Sequence, residues 1–596
     1  MNKKVLSCLL SIILSFFLIN KFMLNGLISI ILFVIFYLIN IYTLKNINNK
    51  YNKLTIILSI FLSIIYVICD SVEKTYFINI FDKYLLLNLS GYFLVFYLSL
   101  INLFNFIDKT KNNIEERKIY IGNKEILTTS KFSFIINFIF IFFVNLIFLL
   151  KFYPGNLTYD SFNEISQVKG ILPLMNNHSI LHTGIIAIFI KIGILFKSIN
   201  LGVFLYSLFQ IIIVSLTFSY ILYFLAKHKI PLIFRIISLF FFMFHPINIF
   251  YSFTMWKDIL FSCSFVLFTI LIYYLSKNDN YFMKKRNIVL FIIISLLVMY
   301  LRNNGLYIVL LTLITLFIIL RKKIKRILPV FLSIIIFFFT SKLIIFNALN
   351  IKGVDTKEIL SFPSQSISRI YKYNYNKLNK KEIKQIEKFY SNKIGEVYNP
   401  ILSDNTKNML NQKYLSEHKK EYIKLNFNLL KKYPKEYFES FVSNSYGYYY
   451  VNTNYPSIIL QKSDSLGIVH KEIFNNLIIY LVLVFIITII SLITLWNLND
   501  KKNILLMALL LPVILTISKD NALIQLFMNI GIYILITFIC LIYNIKNKNN
   551  ILFYIPTIIL WLTILLSPVY SEFRYLYPLF LLVPIYVSLT FKRIDD

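Results

Sequence analysis

Acidic residues are what this chain has least of for its size. Its 596 residues carry 28 Asp and Glu against 61 Lys and Arg, a formal net charge of +33. In a soluble protein that balance would point to nucleic acid. Here the lysines fall in short clusters between apolar runs, the pattern of cytoplasmic loops under the positive-inside rule, and a nucleic-acid partner is set aside. Cysteine is scarce too. Cys8, Cys69, Cys263 and Cys540 lie within or at the end of apolar runs and form no C-x-x-C pair, so neither a disulfide framework nor a thiolate metal site is suggested. Ala and Gly are scarce while Ile, Asn, Lys, Phe and Tyr abound, as in an AT-rich coding sequence, so single Asn and Lys positions carry little meaning. The opening M-N-K-K and Val5 to Ile19 lack a small-residue cleavage site, so this stretch reads as a first transmembrane helix. No repeat relates the two halves, which argues against a transporter.

What the chain does have is apolar runs. It is 58% hydrophobic and 15% charged, with many runs near the roughly 20 residues that a crossing helix needs. The expected class is an all-α, polytopic membrane protein of about sixteen transmembrane helices with one extracellular, mostly helical domain. Basic loops, among them Lys45 to Lys53, Lys277 to Asn287 and Arg321 to Arg326, are placed in the cytoplasm, as are both termini. Four segments follow: N-terminal transmembrane hairpins at 1–131, a transmembrane core at 132–349 with an outer loop at 152–182, an extracellular helical domain at 350–475, and C-terminal transmembrane helices at 476–596. The stretch 182–199 begins and ends on the outer face by this count, as an interfacial or re-entrant helix does. A tyrosine-dense run, S-Y-G-Y-Y-Y-V-N-T-N-Y-P, closes the outer domain as an aromatic belt or a sugar-stacking surface.

The outer loop is the most informative stretch. After the uncharged run Phe132 to Leu150, Pro154-Gly155 breaks the helix, and Asp160 and Glu164 follow one helical turn apart, on one face of a short helix if one forms there. His178 and His182 repeat the spacing. The same membrane face is expected to hold Trp256-Lys257-Asp258, Arg302 in L-R-N-N-G, and Arg574 beside Glu572 in E-F-R-Y. Charges at span ends are costly unless they reach water, each other or a ligand. Each arginine suits a phosphate clamp, and each equally suits a helix anchor or a partner for a carboxylate. Asp160 is a candidate base or an N-cap. Trp256-Lys257-Asp258 is a functional turn or an interfacial Trp with a Lys-Asp pair. Two histidines fall short of the three protein ligands of a zinc site, so no metal residues are assigned, although a divalent-ion requirement stays open.

The order Y-P-G-x-L-T-x-D-S, N-H-S-I-L-H, Y-S-L-F-Q, P-x-N-x-x-Y-S-x-T-x-W-K-D-I-L-F and L-R-N-N-G resembles a largely uncharacterised family of multi-pass bacterial membrane proteins. The resemblance spans about 150–310, with echoes at F-P-S-Q-S-I-S-R (362–369) and E-F-R-Y-L-Y-P (572–578). That family is similar to the GT-C glycosyltransferases of the protein O-mannosyltransferase and lipid A aminoarabinose transferase types. The resemblance implies a GT-C-like fold, polyprenyl-phosphate sugar donors, a first-loop acid at Asp160 and a second-loop acid at Asp258. The D-E or E-x-x-Y pattern of the mannosyltransferases is not kept cleanly, and five expected spans precede the loop.

The expected function is therefore a glycosyltransferase in the cytoplasmic membrane of a bacterium. It would move a sugar from a polyprenyl-phosphate carrier to an envelope glycan, lipid or protein. Asp160, Glu164 and Asp258 are the catalytic candidates, and His178, His182, Lys257, Arg302 and Arg574 the substrate-binding ones. A lipid or polysaccharide flippase is the rival from another class, predicting charges near the bilayer midplane. A non-catalytic envelope assembly protein is the third, predicting that Asp160 can be changed without consequence.

Overall fold

The computed structural model describes residues 3–22, 26–46, 49–111, 118–121, 124–278, 280–321, 324–451, 466–470, 527–546, 551–566 and 568–592. These residues are all-α but for a two-residue hairpin, Tyr120–Ile121 with Lys124–Glu125. Among them, eight helices are long and apolar enough to cross a membrane, or nine if the bent pair Leu232–Phe244 and Pro246–Ser252 is one span. This corrects the expectation of about sixteen. Two of the expected spans fold into described helices of 17 residues, Asn303–Ile319 and Ile530–Lys546. At 1.5 Å per residue they fall short of a hydrocarbon core of roughly 30 Å. The expected spans at 476–496 and 504–518 lie outside the described residues.

Polar residues punctuate the apolar chain and set where helices start. Ser130, Ser179 and Ser198 each accept a hydrogen bond from a backbone N–H in the first turn of the helix that follows, satisfying donors that the helix itself cannot. Ile180–Leu195 folds back on Ile199–Lys227 through glycines. A Cβ at Gly193 would lie 2.6 Å from the Ser198 carbonyl oxygen, so only glycine permits this approach. Lys257–Lys277 is buried along almost its whole length and packs against Ile199–Lys227, Lys285–Leu301 and Tyr577–Thr590. It is the axis of the main apolar core.

Beyond Ile324–Ala348 the chain forms shorter helices, including Ser361–Tyr373, Lys380–Phe389, Lys419–Lys432 and Pro434–Ser445. They share a core of their own around Ile367, Ile370, Leu425 and Leu429. The tyrosine run that follows is inside the protein as far as it is described. Tyr446, Tyr448 and Tyr450 are buried, and Tyr448 donates to the Tyr570 carbonyl at 2.8 Å.

Candidate functional site

The site is assembled by two loops that bond to each other. After Lys131–Lys151, Gly155 takes φ +135°, a region that favours glycine. The Asn156 N–H then donates to the Phe253 carbonyl at 3.1 Å, and the Met255 N–H donates back to the Asn156 carbonyl at 2.9 Å. Ser161 Oγ donates to the Met255 carbonyl at 2.7 Å, and the Trp256 indole N–H donates to Thr158 Oγ1. Each loop then opens a helix, Tyr159–Val168 and Lys257–Lys277, with an acid in its first turn: Asp160 and Asp258. The helix dipole favours a carboxylate there. Residues 98 positions apart are thereby held side by side.

Two arginines come to these acids from other breaks in the helical pattern. Arg302 is the extended residue between Lys285–Leu301 and Asn303–Ile319, and Arg574 lies in the turn that leads into Tyr577–Thr590. One guanidinium nitrogen of Arg574 donates to Asp160 Oδ2 at 2.7 Å and stands 3.9 Å from Asp258 Oδ2, while its Nε donates to Glu572. Arg302 lies 3.1 Å from Asp258 Oδ1. The Tyr575 ring sits between them, 4.7 Å from the Arg302 guanidinium and 4.9 Å from that of Arg574, which also lies 4.9 Å from the Trp256 ring. Aromatic faces stabilise a guanidinium that has left bulk water. Both oxygens of Asp258 are buried and take no hydrogen bond among the described residues, so ion contacts alone hold them.

Electrostatics set the protonation of this group. Burial pushes the Asp160 carboxyl up, but Arg574, Lys257 and His178 outweigh it and hold it well below the usual carboxylate range. Asp160 is thus a firmly ionised acceptor. Burial raises the Glu572 carboxyl, with Arg574 opposing. Burial and then Lys257 lower the His178 imidazole, which favours its neutral form. The Lys257 ammonium is 3.5 Å from His178 Nδ1 and 3.4 Å from the Asn177 carbonyl. Asp160, Asp258, Arg302 and Arg574 thus form one cluster, with Lys257 and His178 beside it.

Glu164 and His182 are placed differently. The i, i+4 spacing puts Glu164 one turn below Asp160, but the two share no partner. Glu164 and His182 are fully buried, with His182 Nδ1 2.7 Å from Glu164 Oε1 and His182 Nε2 2.6 Å from the Tyr206 hydroxyl. Tyr206 donates to Gln210 Oε1 at 2.9 Å, and the Gln210 amide donates to the carbonyls of Tyr251, Ser252 and Thr254 at 2.8–3.1 Å. This chain ties the Asp160 helix to the turn that carries Asp258. Glu164 and His182 bond to each other and to Tyr206 and take no part in the ion pairs of the cluster. Tyr206 and Gln210 begin and end the Y-S-L-F-Q motif but are not among the site candidates read from the sequence, although two polar residues one turn apart in the apolar Ile199–Lys227 helix are a usable signal. Among the described residues no group of three or more His, Cys, Asp or Glu is disposed to hold a metal ion. Asp160, Asp258 and Glu572 converge on Arg574 instead.

Comparison with known proteins adds a family and no activity. The profile of DUF6020, a family of unknown function, matches residues 170–595. No curated protein and no solved structure matches.

Proposed function

The chain belongs to the DUF6020 family, and we propose that it is a GT-C-like membrane glycosyltransferase, moving a sugar from a polyprenyl-phosphate carrier to a cell-envelope acceptor at the outer membrane face. One observation carries this reading: two helix-initiating acids and two aromatic-stacked arginines, from four separate breaks in the chain, meet in one partly open cluster. The acceptor hydroxyl attacks the anomeric carbon, and the bond from that carbon to the carrier phosphate breaks. The phosphate leaves with the electron pair, toward Arg302 and Arg574, where planar guanidinium groups suit it. The hydroxyl proton passes to Asp160.

The last step needs more than proximity. A carboxylate held as strongly ionised as Asp160 is a poor base. An incoming phosphate competes for Arg574, and as that guanidinium turns toward it, Asp160 loses the partner that suppresses its basicity. Donor binding and base activation are then one event. Asp258, buried between both arginines, sets their positions. The test is release of polyprenyl phosphate from a polyprenyl-phosphate sugar by purified protein, in wild type and Asp160→Asn. Release that depends on Asp160 supports the reading, whereas equal release sinks the role given to Asp160.

A second reading is favoured by the pairing of Arg574 with three carboxylates. Such pairing also suits a non-catalytic latch that joins loops 152–160, 253–258 and 568–575. A latch predicts that Arg574→Ala loosens the fold and that no donor lipid binds.

A further inference from the structure

The helix Lys419–Lys432 carries two apolar stripes where a surface helix needs one. Tyr422, Leu425 and Leu429 belong to the core of the short helices that follow Ile324–Ala348. Away from that core Ile423, Phe427 and Leu430, spaced i, i+4 and i+7 on one side of the helix, are 67%, 56% and 41% exposed. Lys420, Lys424 and Lys431 are exposed along one edge of this second stripe, with the Lys431 ammonium 4.6 Å from the Phe427 ring. None of these three lysines forms an ion pair among the described residues. The one acid of the helix, Glu421, lies off the stripe.

The same helices are tied to a membrane face. Lys50–Thr75 and Leu85–Lys111 are both long and apolar enough to cross a membrane, so the loop that joins them, 76–84, lies at its surface. Ile78 N–H donates to Glu439 Oε1 at 2.8 Å, Arg369 donates to the Tyr76 carbonyl at 2.8 Å, and the Phe77 and Tyr373 rings are 4.9 Å apart. Phe81 in that loop and Phe438 beside Glu439 are 89% and 49% exposed. Lys419–Lys432 is joined to the Glu439 helix by Tyr433 alone, and the Tyr437 hydroxyl donates back to the Asn426 carbonyl at 3.1 Å. The second stripe is thereby kept within reach of the headgroups.

We infer that the Ile423–Phe427–Leu430 stripe docks on the anionic headgroup layer of the membrane the chain crosses, with Lys420, Lys424 and Lys431 among the phosphates. Apolar side chains edged by lysine are what an interfacial helix presents to an anionic membrane. Left in water, a stripe of this kind is what a soluble surface avoids. A second copy of the chain is a poorer match, because pairing would bring two lysine stripes together with no acid between them. Docking gives the short helices a hold on the membrane besides their contact with loop 76–84.

The inference does not need the transferase reading and is tested without activity. Full-length Ile423→Cys protein is labelled with the polarity-sensitive fluorophore NBD and reconstituted in phosphatidylcholine vesicles with and without phosphatidylglycerol. Glu421→Cys is the control off the stripe, and the signal of labelled wild type, in which Cys69, Cys263 and Cys540 are buried, is subtracted. With phosphatidylglycerol present, the label at position 423 should shift to the blue and be quenched by doxyl-phosphatidylcholine, far more than the label at 421. Changing Lys420, Lys424 or Lys431 to Gln should lower the docked-to-free ratio about fivefold for each lysine removed. A label at 423 that lipid does not quench in either vesicle overturns the assignment, and a blue shift without lipid quenching would give the stripe to a protein partner instead. Equal quenching with and without phosphatidylglycerol also overturns it, because the lysines would then select nothing.

Discussion

Arg369 and Arg574 are both stacked on aromatic rings and both paired with a glutamate, yet their surroundings differ in kind. Arg369 is fully buried, with its guanidinium 4.6 Å from the Phe77 ring. It donates to Glu439 Oε2 at 2.6 Å, to the Tyr76 carbonyl at 2.8 Å and to the Tyr398 hydroxyl at 3.1 Å. The other Glu439 oxygen accepts the Ile78 N–H at 2.8 Å. The pair clamps the loop after Asn49–Thr75 onto Ser361–Tyr373 and Pro434–Ser445, and both side chains are buried. The side chain of Arg574 is 13% exposed, and with Arg302 it faces three carboxylates, Asp160, Asp258 and Glu572. Lys435 adds only a longer contact, 3.7 Å from Glu439 Oε1, and a buried pair of this kind is what holding a fold requires. Three carboxylates gathered with Arg302, Arg574 and Lys257 at an opening are a costly arrangement, and groups with perturbed protonation in such a place mark functional sites.

The contrast breaks or sharpens through substitutions on either side of it. The largest effect belongs to the open cluster: Asp160→Asn keeps the volume and loses the basicity, so turnover should fall on the order of 10²–10⁴-fold, with a smaller loss of melting temperature than in Arg369→Ala. Next is the buried pair. Arg369→Ala strands Glu439 in the interior and should cost about 3–5 kcal/mol of stability, read as a large loss of melting temperature. A matching loss in Arg574→Ala would erase the distinction. Tyr206→Phe, which removes the hydroxyl between His182 and Gln210, should cost about 1–3 kcal/mol by leaving buried groups unpaired. Turnover per folded molecule should then change less than it does in Asp160→Asn.

The smallest effect is a pH dependence at His178. Its folded state favours the neutral imidazole, below the usual value of 6.5. Its contribution to stability is therefore complete above pH 6.5 and declines as pH falls through that value and the unfolded chain takes up the proton. The melting temperature should drop modestly from pH 7 to pH 5, and His178→Gln should flatten that drop. The Asp160–Arg574 pair should not contribute in this window. Its carboxyl is depressed well below 3.8, so the pair is lost only in stronger acid.

Much of the cluster was legible because charge is rare in this chain. Asp160, Asp258, Arg302 and Arg574 each interrupt an apolar pattern, and the cost of such interruptions is a local property that a sequence displays. The i, i+4 spacing of Asp160 and Glu164 indicated a shared face but not how deep each end of it lies, and depth is what separates an open acid from one locked to His182. The stacking of Trp256 and Tyr575 on the arginines depends on which loops meet, and so does the clamp at Arg369. Neither has a local signature. Among the described residues fewer helices are long enough to cross than the apolar runs suggested, because hydropathy finds an apolar run without fixing the length of the helix it forms: Asn303–Ile319 ends after 17 residues.

The central claim is that Arg574 is a phosphate ligand held in reserve by carboxylates. Lysine in its place keeps the charge, loses the planar fork and its stacking on Trp256 and Tyr575, and still serves as a helix anchor. The direct measurement is binding and turnover of a polyprenyl-phosphate sugar by purified Arg574→Lys protein beside wild type, with the melting temperature recorded for both. Weaker donor binding and slower turnover at an unchanged melting temperature are the predicted result. Donor binding and turnover equal to wild type would contradict the claim and leave Arg574 a latch between loops.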